Sequence, residues 1–180
     1  MVDLDEFMYS KKHTLRNDIQ AIHHSKPEIA CLRIGWKIYG SNGLVQQPKS
    51  VVKHFTKRCT NTQGLVKNIF KTDAILSFDL HKVELKDLFV ALNIPFIQDT
   101  NFSLFMLEET VINAPIQLNH YRLQSKEYWN KKINRGDLDS KNQEVYLNVD
   151  FFQAFDEISN IIEDTELYQK HKTLYDFIDL

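Results

Sequence analysis

Three observations predict an α+β fold, here read as a single domain (1–180) with an antiparallel or mixed sheet of about five strands and helices at the N-terminus, middle and C-terminus. Residues 30–39 alternate strictly, with Ala30, Leu32, Ile34, Trp36 and Ile38 on one face and Cys31, Arg33, Gly35, Lys37 and Tyr39 on the other, the period of a half-buried strand. Residues 96–123 are rich in apolar and aromatic side chains without a helical period, which suits a meander of about three strands. Residues 151–162 place Phe151, Phe152, Phe155, Ile158 and Ile162 at spacings of three and four, an apolar helix stripe.

The remaining elements follow in order. Leu4, Phe7 and Met8, then Leu15, Ile19 and Ile22, predict helix over 3–24, in one or two pieces, closed by Lys26-Pro27. Gly40-Ser41-Asn42-Gly43 is a turn signal, with Leu44-Val45 as a short return strand. Pro48 opens a helix carrying Val51, Val52 and Phe55 to about Cys59, and Leu65, Val66, Ile69 and Phe70 suggest another. Residues 74–78 read as a brief buried strand. Asp79 caps a helix over 80–92 that ends at Asn93-Ile94-Pro95. Ser125 caps a short helix with Trp129, residues 144–149 alternate as a strand, and Asp150 caps the C-terminal helical region.

Composition excludes several classes. With 43% apolar and 26% charged residues, 5 Gly and 4 Pro in 180 residues, the chain is neither collagen-like nor disordered. No apolar run approaches the ~18 residues of a membrane span, and the acidic Met1–Glu6 start lacks a basic, apolar leader. Cys31 and Cys59 form no CxxC pair, so the expected setting is the cytoplasm, with no membrane.

The net charge of −2 conceals a segregation. Residues 29–72 hold eight cations, Arg33, Lys37, Lys49, Lys53, Lys57, Arg58, Lys67 and Lys71, and no acid; residues 144–180 hold nine acids against Lys170 and Lys172. In a helix over 49–59, Lys49, Lys53 and Lys57 would form a stripe, repeated by Lys67 and Lys71. The two stretches either neutralise each other within the fold or face an anionic or basic partner. The partner would be a protein or a nucleic acid, held by Lys49, Lys53, Lys57, Arg58, Lys67 and Lys71, with Trp129 beside Lys126, Lys131 and Lys132 as an aromatic contact.

No catalytic motif is complete. Asp73 followed by Glu84-Leu85-Lys86 has the skeleton of a PD-(D/E)xK nuclease, in which Asp73 and Glu84 would hold Mg²⁺ and Lys86 assist a water; about two acid-x-Lys triplets arise by chance in such a composition, and Asp139-Ser140-Lys141 is the other. Asp137-Leu138-Asp139 fails as a calcium loop, because Lys141 and Asn142 stand where an oxygen ligand and Gly belong. His13, His23 and His24 lack the spacing of a metal set. GxSxG, P-loop and GxGxxG patterns are absent from the sequence. The reading is therefore a binding protein without catalysis or cofactor, of inhibitor, immunity or accessory-subunit type. A metal-dependent nuclease is the alternative and a non-enzymatic nucleic-acid binder the third reading.

Overall fold

The computed structural model describes residues 2–60, 65–79, 81–93, 97–98, 106–136 and 147–179. The fold is α+β with a mixed sheet, and the chain forms two compact units, residues 1–37 with 61–120 and residues 38–60 with 121–180.

The first unit is built on strand β2 (Ile29–Ile38), with β1 (Glu6–Ser10), β4 (Val66–Phe70), β7 (Val90–Asn93), β8 (Ile97–Gln98) and β9 (Ile116–His120). The order is β1-β9-β2-β7-β8, with β4 also paired to β2. β1 and β9 are antiparallel, β2 and β4 antiparallel, and β2 and β7 parallel. Strands β5 (Ile75–Phe78) and β6 (Val83–Leu85) form a separate hairpin. Helix α1 (Leu15–Ser25) begins at Thr14, whose hydroxyl accepts from Asn17 N–H, and α3 (Glu108–Asn113) precedes β9.

β2 is buried along all ten residues rather than on one face. Gly35 explains part of this: a Cβ there would meet Val111 Cγ2 at 2.6 Å and Met106 Sδ at 3.1 Å. The missing side chain thus lets the Val66, Met106 and Val111 cluster cover that face. A second cluster, Cys31, Val83 and Ala91, packs with Phe70, Ile75 and Leu85.

In the second unit, the short pair β3 (Lys57–Arg58) and β10 (Ile162–Glu163) is antiparallel. Helix α2 is a single turn (Val51–His54); α4 (Lys126–Arg135), α5 (Val149–Ser159), α6 (Glu166–Lys170) and α7 (Lys172–Ile178) complete it. Leu123, Trp129 and Phe152 form the core, with Phe151 and Phe155 packed against it. Asp156 of α5 accepts from both the amide and the hydroxyl of Ser41 at 2.7 Å, and Asn160 Oδ1 accepts from the Asn42 amide at 2.8 Å. These bonds hold the Gly40–Gly43 turn, where Asn42 and Gly43 have φ of 52° and 74°.

Several predicted elements differ. Residues 3–24 are a strand followed by a helix, because the inward positions Glu6 and Ser10 of β1 are polar and mask its alternation. The predicted helix over 49–59 stops after one turn, since Lys57 and Arg58 pair with Glu163 and Ile162. Residues 65–71 are β4, drawn into the sheet by β2, and 80–92 contain β6 and β7. Asp79 closes a turn there, accepting from the amides of His81 and Lys82. Residues 75–78 are a strand, but a largely exposed one. Leu44 and Val45 form no return strand; their carbonyls accept from the first amides of α4.

Ser125 does cap α4, its hydroxyl accepting from Tyr128 N–H, whereas α5 is capped by Asn148 rather than Asp150. Within 96–123, α3 interrupts the expected meander. Residues 99–105 lie outside the described residues, as do the strand positions 144–146 and the Asp137–Asn142 calcium-like loop with Asp139-Ser140-Lys141. Among the described residues, no helix is long and apolar enough to cross a membrane.

Candidate functional site

Half of the basic stretch is inside the protein. Arg33, Lys37, Arg58 and Lys67 are all buried, an unusual setting for cations unless each is partnered. Arg33 donates to Asn93 Oδ1 at 3.1 Å and Lys37 to the Tyr9 hydroxyl at 3.1 Å. Arg58 Nε bonds Asp164 at 2.9 Å, and its guanidinium also donates to the Cys59 carbonyl. Lys53 is shared between Asp176 at 3.0 Å and Asp179 at 2.9 Å. Cations of the basic stretch thus meet acids of the acidic stretch within the second unit. Lys71 is half-buried and bonds the Pro27 carbonyl, while Lys49 and Lys57 face solvent. The Lys49/Lys53/Lys57 helical stripe does not form, because α2 ends before Lys57. Trp129 is a core residue whose Nε1 donates to the Asn148 carbonyl at 2.9 Å.

The nuclease skeleton is assembled in part. Glu84 lies on β6 and Lys86 just beyond it, two residues apart and so on one strand face. Lys86 Nζ, however, donates to the backbone carbonyl of Asp73 at 2.7 Å, and Glu84 accepts from Ser77 Oγ at 2.8 Å. Asp73, Glu84 and Lys86 are all exposed. Among the described residues, no group of three or more His, Cys, Asp or Glu side chains is arranged to hold a metal ion.

A different constellation is concentrated in the first unit. Glu6 and His120 are directly opposed across the β1–β9 ladder. The Glu6 side chain is wholly withdrawn from solvent. Lys67 Nζ lies 3.4 Å from its Oε2 and 3.0 Å from Asp3 Oδ2, and the Asp3 amide donates to Oε2 at 3.0 Å. His120 Nε2 lies 3.6 Å from Asp5 Oδ1. Trp36 closes the group: its ring stands edge-on to His120 with centroids 4.3 Å apart, edge-on to His81 at 5.5 Å, and 5.9 Å from Lys67 Nζ. His81 is itself fixed by a 2.9 Å contact between Nδ1 and the Val66 carbonyl.

Three atoms of this group, Glu6 Oε1, Trp36 Nε1 and His120 Nδ1, are buried with no hydrogen-bond partner. Each such atom costs about 1–3 kcal/mol, and native folds tolerate few of them. Burial raises the Glu6 pKa, outweighing the Asp3 amide bond and the lowering influence of the neighbouring His120 and Lys67. The centre therefore combines a carboxyl that readily holds a proton, an imidazole, an indole donor and a fixed ammonium. The sequence does not show this centre, because Glu6 falls in the segment 3–24 that reads as helix and Trp36 on the apolar face of the strand over 30–39. The one available signal was the run of acids at Asp3, Asp5 and Glu6.

The chain matches no protein-family model and no curated protein.

Proposed function

We propose that this is a binding protein for a polar ligand, and that Glu6, Trp36 and His120 form its recognition centre, with Lys67 and Asp3 holding Glu6 in place. The observation that carries this reading is the convergence of three unpartnered buried polar atoms in one cluster. A ligand offering a donor to Glu6 Oε1, an acceptor to Trp36 Nε1 and a polar partner to His120 Nδ1 would satisfy all three, and because these atoms are closed to solvent it would enter as the surrounding strands open. The neighbouring carboxyl and imidazole also give the centre the groups needed for proton transfer, since pKa-shifted acids in buried clusters mark functional sites. A cytoplasmic location is in keeping with two buried, free cysteines.

The test is a panel of neutral, anionic and cationic polar compounds screened by thermal shift, because a ligand that binds only the folded state raises its melting temperature. At least one class should stabilise the wild type and fail to stabilise Glu6→Gln and Trp36→Phe. Equal stabilisation of all three proteins would contradict the proposal.

A second reading, protein recognition of the inhibitor or immunity type, is favoured by the exposed Leu174 and Phe177 on α7, next to Asp176 and Asp179. Apolar side chains rimmed by charge suit a protein interface. Partner recovery in a pull-down should then fall when Leu174 and Phe177 are both changed to Asp; unchanged recovery removes this reading.

A further inference from the structure

We infer that helix α7 is an electrostatic latch, which holds Lys53 under an acidic cover and is released by salt. The helix contributes no buried residue. Phe177 is 72% exposed and Leu174 55% exposed, and among the helix's apolar and aromatic side chains only Tyr175 is half-buried. Its attachment is polar and converges on α2. Lys53 Nζ sits 3.0 Å from Asp176 Oδ1 and 2.9 Å from Asp179 Oδ2. His54 Nε2 lies 3.5 Å from Asp179, whose Oδ1 accepts from the Ser50 amide at 3.2 Å. From α6, the Tyr168 hydroxyl donates to Asp176 at 2.8 Å, and within α7 Lys172 pairs with the same carboxylate.

These groups remain partly in water, with the side chains of Lys53, Asp176 and Asp179 at 29%, 36% and 20% exposure. Ion pairs this open to water are weak and are screened by salt, and about 0.5 M salt shortens the Debye length to under ~5 Å. A helix held chiefly by such pairs opens locally without the rest of the unit. By contrast, α6 is anchored by the buried Leu167. Asp176 and Asp179 occupy Lys53 and His54 as an external anion would, so release of α7 uncovers a cationic patch at α2, beside the exposed Lys49 and Lys57. This goes beyond the polar-ligand reading and does not depend on it.

Hydrogen exchange measured by mass spectrometry on the full chain, at about 0.05 M and about 0.5 M NaCl, tests the latch with α6 as internal reference. In the wild type, α7 amides should exchange about five- to tenfold faster at high salt, the scale of one or two surface ion pairs, with α6 unchanged. In Lys53→Gln, α7 should exchange fast at both salt concentrations. The double variant Asp176→Asn with Asp179→Asn should behave the same way and guards against a folding defect specific to Lys53→Gln. Exchange of α7 that ignores salt and both variants overturns the inference, as does loss of protection in α6 and α7 together.

Discussion

Glu6 and His120 stand directly opposite each other on neighbouring antiparallel strands, and each carries a buried polar atom without a partner, Oε1 on the one and Nδ1 on the other. Burial raises the pKa of the Glu6 carboxyl, and that makes the pair testable.

Glu6→Gln is expected to gain stability relative to the wild type as pH rises from 4 to 8. The sign follows from burial. The folded pKa of Glu6 lies above its ordinary value of 4.5, so its favourable contribution is complete below that ordinary value and is lost as pH rises through the folded value. Urea denaturation of both proteins across pH 4 to 8 checks this: the wild type should lose stability relative to Glu6→Gln as pH rises.

Lys67→Met should cost about 3 kcal/mol, the low end of the range for removing one partner of a buried ion pair, because it leaves the buried Glu6 without its cation while the exposed Asp3 stays solvated. Lys49→Met, at an exposed position, should stay within about 0.5 kcal/mol of the wild type. Chemical denaturation of both variants separates a buried cation from a solvated one within the same basic stretch.

Much of this architecture was legible in the sequence. The alternation over 30–39 gave β2, Ser125 gave the start of α4, and the Phe151/Phe155 stripe gave α5. The polar centre was not legible, for a physical reason. Hydrophobic periodicity detects apolar inward faces, whereas the inward positions here include Glu6, Lys67, Arg33 and Lys37. Long aliphatic stems let Lys and Arg occupy strand interiors while their heads find partners, so a run of cations read as a surface stripe is partly core. The turn and helix errors at 57–58, 66–70 and 80–92 share a cause: strand pairing with residues distant in sequence overrode local spacing.

Gly40→Ala should destabilise the fold by about 1–3 kcal/mol, the usual cost of overpacking. An added Cβ would lie 2.6 Å from the Ser159 backbone carbonyl and 2.4 Å from Asn160 Oδ1, and relieving it breaks the clasp between the Gly40–Gly43 turn and α5. The measurement is the denaturation midpoint, with Gly43→Ala as comparison; nothing crowds that position, although its φ of +74° disfavours any side chain.

Cys31 should be inert to thiol reagents in the native state. It is fully buried, and burial pushes its pKa up to about 12, so thiolate is scarce at neutral pH. Reaction with a chromogenic disulfide should show Cys31 labelling only after denaturant is added; rapid labelling in buffer would contradict this placement.

The central claim is that the unpartnered atoms of Glu6, Trp36 and His120 form a recognition centre. The most direct measurement is the indole N–H resonance of Trp36 in ¹H–¹⁵N spectra, followed while the polar compound panel is titrated in. The account predicts a saturable shift of that resonance with at least one compound class, weakened at least tenfold in Glu6→Gln. A Trp36 resonance that moves with no compound, or moves identically in Glu6→Gln, would contradict it.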